Sequence, residues 1–187
     1  MYQNNLLVYD GEWELNKYSG TGVLIKYVNE GIKIKKCVYN GEFKNNFKDG
    51  IGIIRYSNDA LYYGDFKNDL RDGKGVYLYS HGVYIGEYVD NLWCGFGWYY
   101  GYNNYHYIGK WLNGVRTGNV VEVLNNGDIC YSKYWNDKWH GVSLIFSKNY
   151  LMIVEFYKGV WTGQCLVVAK NNLICLITYS GDSMLFG

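Results

Sequence analysis

The sequence predicts an all-β protein: an elongated, open antiparallel β-meander of about seven tandem hairpin repeats, forming a curved sheet one layer thick. Three observations carry this expectation. First, Tyr62-Tyr63-Gly64-Asp65-Phe66, followed by Gly73 and Gly75, recurs as Tyr39-Asn40-Gly41-Glu42-Phe43 with Gly50 and Gly52. It recurs again as Tyr84-Ile85-Gly86-Glu87-Tyr88 with Gly95 and Gly97. Second, the anchor positions Gly11, Gly41, Gly64, Gly86, Gly109, Ser132 and Val154 lie mostly 22 or 23 residues apart, the signature of structural units that stack on one another. Third, 22 Tyr and 24 Gly with no Pro favour strands punctuated by turns, and no stretch keeps a helical period.

Counting from the anchor as zero, each repeat carries two turn signals. The first falls at +4 and +5: Asn45-Asn46, Asn68-Asp69, Asp90-Asn91, Asn113-Gly114, Asn136-Asp137 and Lys158-Gly159. Asn, Asp and Gly tolerate the positive φ that a two-residue hairpin turn needs. The second falls near +17: Asn58-Asp59, His81-Gly82, Asn103-Asn104, Asn126-Gly127 and Asn171-Asn172. If that turn has two residues in the short repeats and three in the long ones, every anchor tyrosine returns to the same face. A plain ladder across the first turn sets the anchor opposite +9, and the tyrosine at −2 opposite the glycine at +11. This face, A, then holds the tyrosines, the aromatics at +2 and the glycines. The missing Cβ lets a ring lie over backbone, which explains glycine inside strands.

In chain order, a first repeat (Tyr9 to Gly22) precedes an insertion at residues 30–37, expected to extend a hairpin with Lys33, Lys35 and Lys36 at its tip. Clear repeats fill residues 7–118. From 119 to 187 the signal decays: the anchor becomes Ser132 and Val154, and +11 becomes Val120, Ser143 and Cys165. The tail is apolar, and the strand near Leu173 to Ile177 needs to be covered or paired. Residues 1–187 thus form one array, with a C-terminal cap or dimerisation region. An edge-to-edge or face-to-face homodimer is expected there, the alternative being a tail from Ser183 to Phe186 that folds back on the strand.

Tyr-x-Gly-Glu-aromatic, with Gly-x-Gly beginning nine residues after the first glycine, resembles the MORN repeat family. The match is close at Tyr9, Tyr39, Tyr62 and Tyr84 and looser at Tyr107-Ile108-Gly109-Lys110-Trp111. The resemblance implies a non-catalytic role: binding partner proteins, organising cytoskeletal or membrane-proximal assemblies, or contacting phosphoinositides or phosphatidic acid.

A formal net charge of +1 gives no field suited to nucleic acid. Five cysteines without a CxxC pair fit reduced thiols in the cytoplasm. Met1 to Asn5 lacks the basic region of a signal peptide, and no apolar run is long enough to span a bilayer. Tyr39, Phe43, Tyr62, Phe66, Tyr84, Tyr88, Tyr107 and Trp111 on face A are the candidate groove for a helical or extended segment of another protein, set against simple packing over the glycines. Lys33, Lys35, Lys36, Lys48, Arg71 and Arg116 are the candidate contacts for anionic lipid. The opposite face, B, carries apolar residues at +12 (Val23, Ile53, Val76, Trp98, Val121, Leu144, Leu166) and at +14, a seam or a partner surface. The acidic row at +1 (Glu12, Glu42, Asp65, Glu87, Glu155) reads as a solvated edge neutralised by Lys17, Lys44 and Lys67. His81, His106 and His140 fall in different repeats, so no catalytic, metal or cofactor site is expected.

Overall fold

The computed structural model describes residues 6–30, 33–171, 173–180 and 183–186; the segment Met1 to Asn5 and Asn172 of the last expected turn lie outside them. The chain divides into two compact units, Met1–Leu92 and Trp93–Gly187. The first holds β1 (Leu6–Glu14), β2 (Lys17–Glu30), β3 (Lys33–Lys44), β4 (Phe47–Arg55), β5 (Leu61–Lys67), β6 (Leu70–Tyr79) and β7 (Gly82–Val89). From the boundary onward come β8 (Leu92–Gly101), β9 (His106–Leu112), β10 (Val115–Val123), β11 (Ile129–Trp135), β12 (Lys138–Trp139) and β13 (Gly141–Phe146). They are followed by β14 (Tyr150–Tyr157), β15 (Val160–Ala169), β16 (Ile174–Ser180) and β17 (Ser183–Phe186). Within each unit strands pair antiparallel with sequence neighbours, an open meander, and the described residues include no helix.

The first turns are as the sequence requires. Asn45 and Asn46, Asn68 and Asp69, and Asn136 and Asp137 all have φ between 47° and 75°, the type I′ geometry whose twist matches the flanking strands. These turns also tie each repeat to the one before it. The N–H at +5 donates to the carbonyl at +7 of the preceding repeat, as in Asp69 to Lys48 at 2.9 Å and Asp137 to Arg116 at 3.1 Å. The side chain at +5 then accepts from the same residue's N–H: Lys48 to Asp69 at 3.0 Å, Arg71 to Asn91 at 3.0 Å and Arg116 to Asp137 at 2.9 Å. Asn and Asp therefore serve twice here, once for φ and once as acceptors.

The second turns set the period. Three residues separate Tyr56 from Ala60, Gly101 from Tyr105 and Leu124 from Asp128, each pair joined by an N–H to carbonyl bond. Two separate Ser147 from Tyr150, and Tyr79 pairs with Gly82 across two. These lengths give the alternation of 23 and 22 residues and keep the faces in phase. The insertion extends the β2–β3 hairpin as expected, with pairing continued to Glu30 and Lys33.

The register within each repeat differs from the plain ladder. Gly64 lies opposite Gly75, not Gly73, and Tyr62 opposite Tyr77, while Phe66 pairs with Arg71. Between these pairs β6 spends four steps against two on β5, a bulge with two extra residues. The same shift falls between Gly11 and Trp13 and between Gly41 and Phe43. Two extra residues leave the alternation intact, so the assignment of faces holds although the partners move. Gly73, with φ 110°, forms the bulge in a conformation a side chain would strain. It also lies opposite Tyr88, the +2 aromatic of the next repeat.

At the C-terminus, β17 pairs with β16 from Ile177↔Phe186 to Ser180↔Ser183. The tail folds back on the last strand, the alternative to edge-to-edge dimerisation, and only the first part of β16 keeps an open edge.

Candidate functional site

In the repeats anchored from Gly41 to Gly109 face A is a buried interior, whereas Trp13, the +2 aromatic of the first repeat, is 58% exposed. Tyr39, Phe43, Tyr62, Phe66, Tyr84, Tyr88, Tyr107 and Trp111 are all buried, from 0% to 6% exposed. The eight residues expected to line a groove are buried: the +2 aromatics pack edge to face on the tyrosines, and tyrosines lie over glycines. Tyr9, Tyr39 and Tyr62 lie over the +11 glycines of their own repeats, so a Cβ at Gly75 would run into the Tyr62 ring and one at Gly52 into Tyr39; at Tyr107 the +11 residue is Val120. The rings alternate edge to face along the array: Tyr39 meets Phe43 at 5.1 Å and Phe66 at 5.0 Å, and Tyr62 meets Phe66 at 5.2 Å and Tyr88 at 5.1 Å. Such pairs add to simple area burial. The hydroxyls are turned to the backbone. They donate to carbonyls at the bulge, Tyr39 to Glu42 at 2.9 Å and Tyr62 to Asp65 at 3.0 Å. Burial pushes the Tyr39, Tyr62 and Tyr107 phenols well above their usual range.

The cations at +7 belong to the same interior. Arg71 lies 5.6, 5.1 and 5.2 Å from the rings of Tyr62, Tyr77 and Tyr88 and bonds Asn91. Lys48 lies over Tyr39 and pairs with Asp69 at 2.6 Å. Arg116 lies over Tyr107 and Tyr134 and pairs with Asp137 at 2.8 Å. Long side chains here act as lids on tyrosines, so these three are not basic tips awaiting phosphate. Lys36 is exposed, whereas Lys35 is half-buried and engaged; the Lys33 side chain lies outside the described residues.

The acidic row at +1 has a structural task that its spacing did not disclose. Glu12, Glu42 and Asp65 turn back over the bulge and accept from the N–H at +10: Thr21 at 2.9 Å, Ile51 at 3.3 Å and Lys74 at 2.7 Å. The Thr21 hydroxyl and N–H hold the Glu12 carboxyl below its ordinary value. A bulge frees backbone donors from the ladder, and these carboxylates take them up.

Sequence inspection missed one cluster altogether. Glu122 sits at +13 on face A, where other repeats carry Leu24, Ile54 or Ile145, and it is 1% exposed. Its carboxylate accepts from the Tyr105 hydroxyl at 2.5 Å, the Tyr134 hydroxyl at 2.7 Å and Trp139 Nε1 at 3.1 Å, and Arg116 lies 3.8 Å away. A buried carboxylate is tolerated because four groups surround it. The visible signal was an acid in an otherwise apolar column. Beside it, desolvation first and then Glu122 push the Cys130 thiol up to about 12.

Face B is open. In the first unit the row Ile53↔Tyr63↔Val76↔Ile85 crosses β4 to β7. In the second, Trp98↔Ile108↔Val121↔Tyr131↔Leu144↔Ile153↔Leu166↔Leu176 crosses eight strands. The register interleaves the expected +12 residues with the −1 residues Tyr63, Ile85, Ile108 and Tyr131. Tyr63, Trp98, Ile108 and Tyr131 leave 45% to 53% of their surface open, more apolar surface in one stripe than scattered exposure gives.

Hairpins repeated at a fixed period, with rings over glycines on one face and an apolar stripe on the other, define a solenoid-like β-repeat protein. A family model for the MORN repeat matches residues 9–27, 39–60, 62–82, 84–104 and 107–129, more than half of the chain, and the protein belongs to the MORN repeat family. No curated protein matches the sequence at a significant level.

Proposed function

We propose that this chain is a non-catalytic scaffold that receives a segment of another protein on face B, in a cytoskeletal or membrane-proximal assembly of the cytoplasm. MORN repeats generally serve protein–protein or membrane-lipid interactions, and proteins built from them are typically non-catalytic. The observation that carries the reading is the contrast between the faces: from Tyr39 to Trp111 the −2 and +2 rings of face A are buried, while face B offers an apolar row with exposed aromatic anchors such as Tyr63 and Trp98. Aromatic residues at the middle of a contact concentrate binding energy. The in-chain engagement of Lys48, Arg71 and Arg116 weakens the case for anionic lipid as the main ligand.

The test is affinity capture with quantitative mass spectrometry, using the wild-type chain, Tyr63→Glu, Trp98→Glu and Lys36→Glu, beside flotation on liposomes carrying phosphoinositide. A partner held by wild type and Lys36→Glu but lost on Tyr63→Glu or Trp98→Glu supports the scaffold. Salt-sensitive flotation that is lost on Lys36→Glu, with no such partner, would hand the function to lipid.

A further inference from the structure

Unit 2 raises the question of what covers its stripe. The row from Trp98 to Leu176 is joined by a parallel one two residues along each strand, Tyr100↔His106, Val123↔Ile129↔Phe146↔Leu151↔Val168↔Ile174, so the apolar band is two rows wide. Its flank on the opposite side is polar except at Val142 on β13. Across the strands it reads Lys110 on β9, Asn119 on β10, Lys133 on β11, then Val142 on β13, Glu155 on β14, Gln164 on β15 and Thr178 on β16.

This order is self-complementary about β13. Folding the strand order about that strand sets β11 against β14, β10 against β15 and β9 against β16, whereupon Lys133 meets Glu155, Asn119 meets Gln164 and Lys110 meets Thr178. Val142 and Leu144, on the axis, meet themselves. We infer that a second copy of the chain docks here, face B on face B, about a two-fold axis that runs along β13 between the two sheets. Such an axis preserves position along the strands, so apolar rows fall on apolar rows and each Lys133–Glu155 pair occurs twice, as an isologous contact demands. Lys133 and Glu155 flank the axis by about one strand spacing, roughly 5 Å, where twist displaces them least. Glu155 is exposed and held by the Thr162 hydroxyl only at 3.4 Å, so it can turn toward a partner. Seven strands at about 4.8 Å and three rows at about 6.7 Å give a patch of roughly 700 Å², near the ~800 Å² per partner of stable complexes. Pairing along β16 is less suited, because β17 already occupies that strand from Ile177 to Ser180.

The inference deepens the scaffold reading by naming an occupant for half of face B. Sedimentation equilibrium of the full chain at tens of micromolar tests it, with Lys133→Glu, Glu155→Lys and the double exchange in one chain. The wild type is expected to be dimeric, each single reversal to weaken the dimer about tenfold, and the double exchange to restore it. Circular dichroism checks that all three fold, and Tyr131→Glu supplies a second lesion in the apolar row. A monomeric wild type, a dimer indifferent to the reversals, or a double exchange no better than the singles overturns the proposal. A dimer lost on Ile174→Pro but not on Tyr131→Glu would instead place contact at the strand edge. A monomeric chain that still loses its captured partner on Trp98→Glu would overturn the second copy and leave the scaffold standing.

Discussion

The two units solve the same packing problem with opposite volumes. In the first, a tyrosine at −2 lies over a glycine at +11: Tyr39 over Gly52, Tyr62 over Gly75. In the second, Tyr107 remains with Val120 at +11, and beyond it the tyrosine gives way to Cys130 and Met152 while the glycine position holds Ser143 and Cys165. Cys130, Ser143 and Cys165 are wholly buried all the same. At Cys130 and Ser143 one large residue and none have become two small ones. The family match stops at residue 129 while the pairing of strands runs on to Phe186. The recognisable motif is thus one solution to a volume constraint, and the hairpin spacing with its turns outlasts it.

The largest expected effect comes from raising the pH. Burial, first among the causes, lifts the phenols of Tyr39 and Tyr62 in one unit and of Tyr105, Tyr107 and Tyr134 in the other above 10.0. The folded state resists ionisation that the unfolded chain undergoes. Their contribution to stability is therefore whole below pH 10.0 and is lost as pH rises toward the folded values. Absorbance of tyrosinate at alkaline pH should include these five only when the β signal collapses. Glu122 adds to the shift of its three neighbours alone, so Glu122→Gln should lower the onset in the second unit and leave the first unchanged. Full ionisation with an intact β spectrum would count against the buried interior.

Glu122→Ala comes next. It leaves Arg116 and two phenols without their buried acceptor, a loss of about 3–5 kcal/mol by analogy with broken buried pairs. Ile54→Ala, at the equivalent position of the first unit, should cost about 2–4 kcal/mol by cavity formation alone. Denaturation midpoints of the two variants, with Glu122→Gln between them, measure how far a polar network replaces apolar packing at one repeat position.

Position +11 gives the sharpest contrast. Gly75→Val forces the Tyr62 ring out and should cost about 3 kcal/mol or more. Ser143→Val should be neutral or stabilising, since the Ser143 hydroxyl is buried without a hydrogen-bond partner and the −2 residue of its repeat is Cys130 rather than tyrosine. Thermal melts of both decide whether the units differ as described. Equal losses would mean that the second unit is packed like the first.

The period, the turns, the alternation of loop lengths and the two faces were legible because each rests on a local rule: φ at Asn and Gly, and side-chain alternation along a strand. The register was not. A ladder drawn from Gly64 and Gly73 has no means of showing that Asp65 turns back on Lys74, since a bulge is fixed by a side chain acting on backbone rather than by periodicity. The role of the aromatics turned on burial, which spacing alone leaves open between a groove and a core. Arg71 and Arg116 looked like surface charge because nothing in their neighbours along the chain reveals rings stacked from adjacent repeats. Glu122 was hidden for the opposite reason, being an exception inside a column that no rule singles out.

The bulge supplies the smallest effect and the last comparison. In the first unit Glu12, Glu42 and Asp65 at +1 accept from the N–H at +10; in the second, the same position holds Lys110 and Lys133 before an acid returns at Glu155. Lysine has no acceptor to offer, so those bulges stand without this bond. Asp65→Ala should therefore cost about 1 kcal/mol, the net worth of one hydrogen bond at a partly solvated site. Lys110→Ala should cost a few tenths at most. Amide exchange gives the more specific check, because Lys74 N–H should lose protection in Asp65→Ala while its neighbours in β6 keep theirs. Asp65→Asn retains an acceptor oxygen and should recover most of that protection. If Lys74 exchanges equally fast in the wild type and in Asp65→Ala, the carboxylate does not hold the bulge, and the acidic row returns to being a solvated edge.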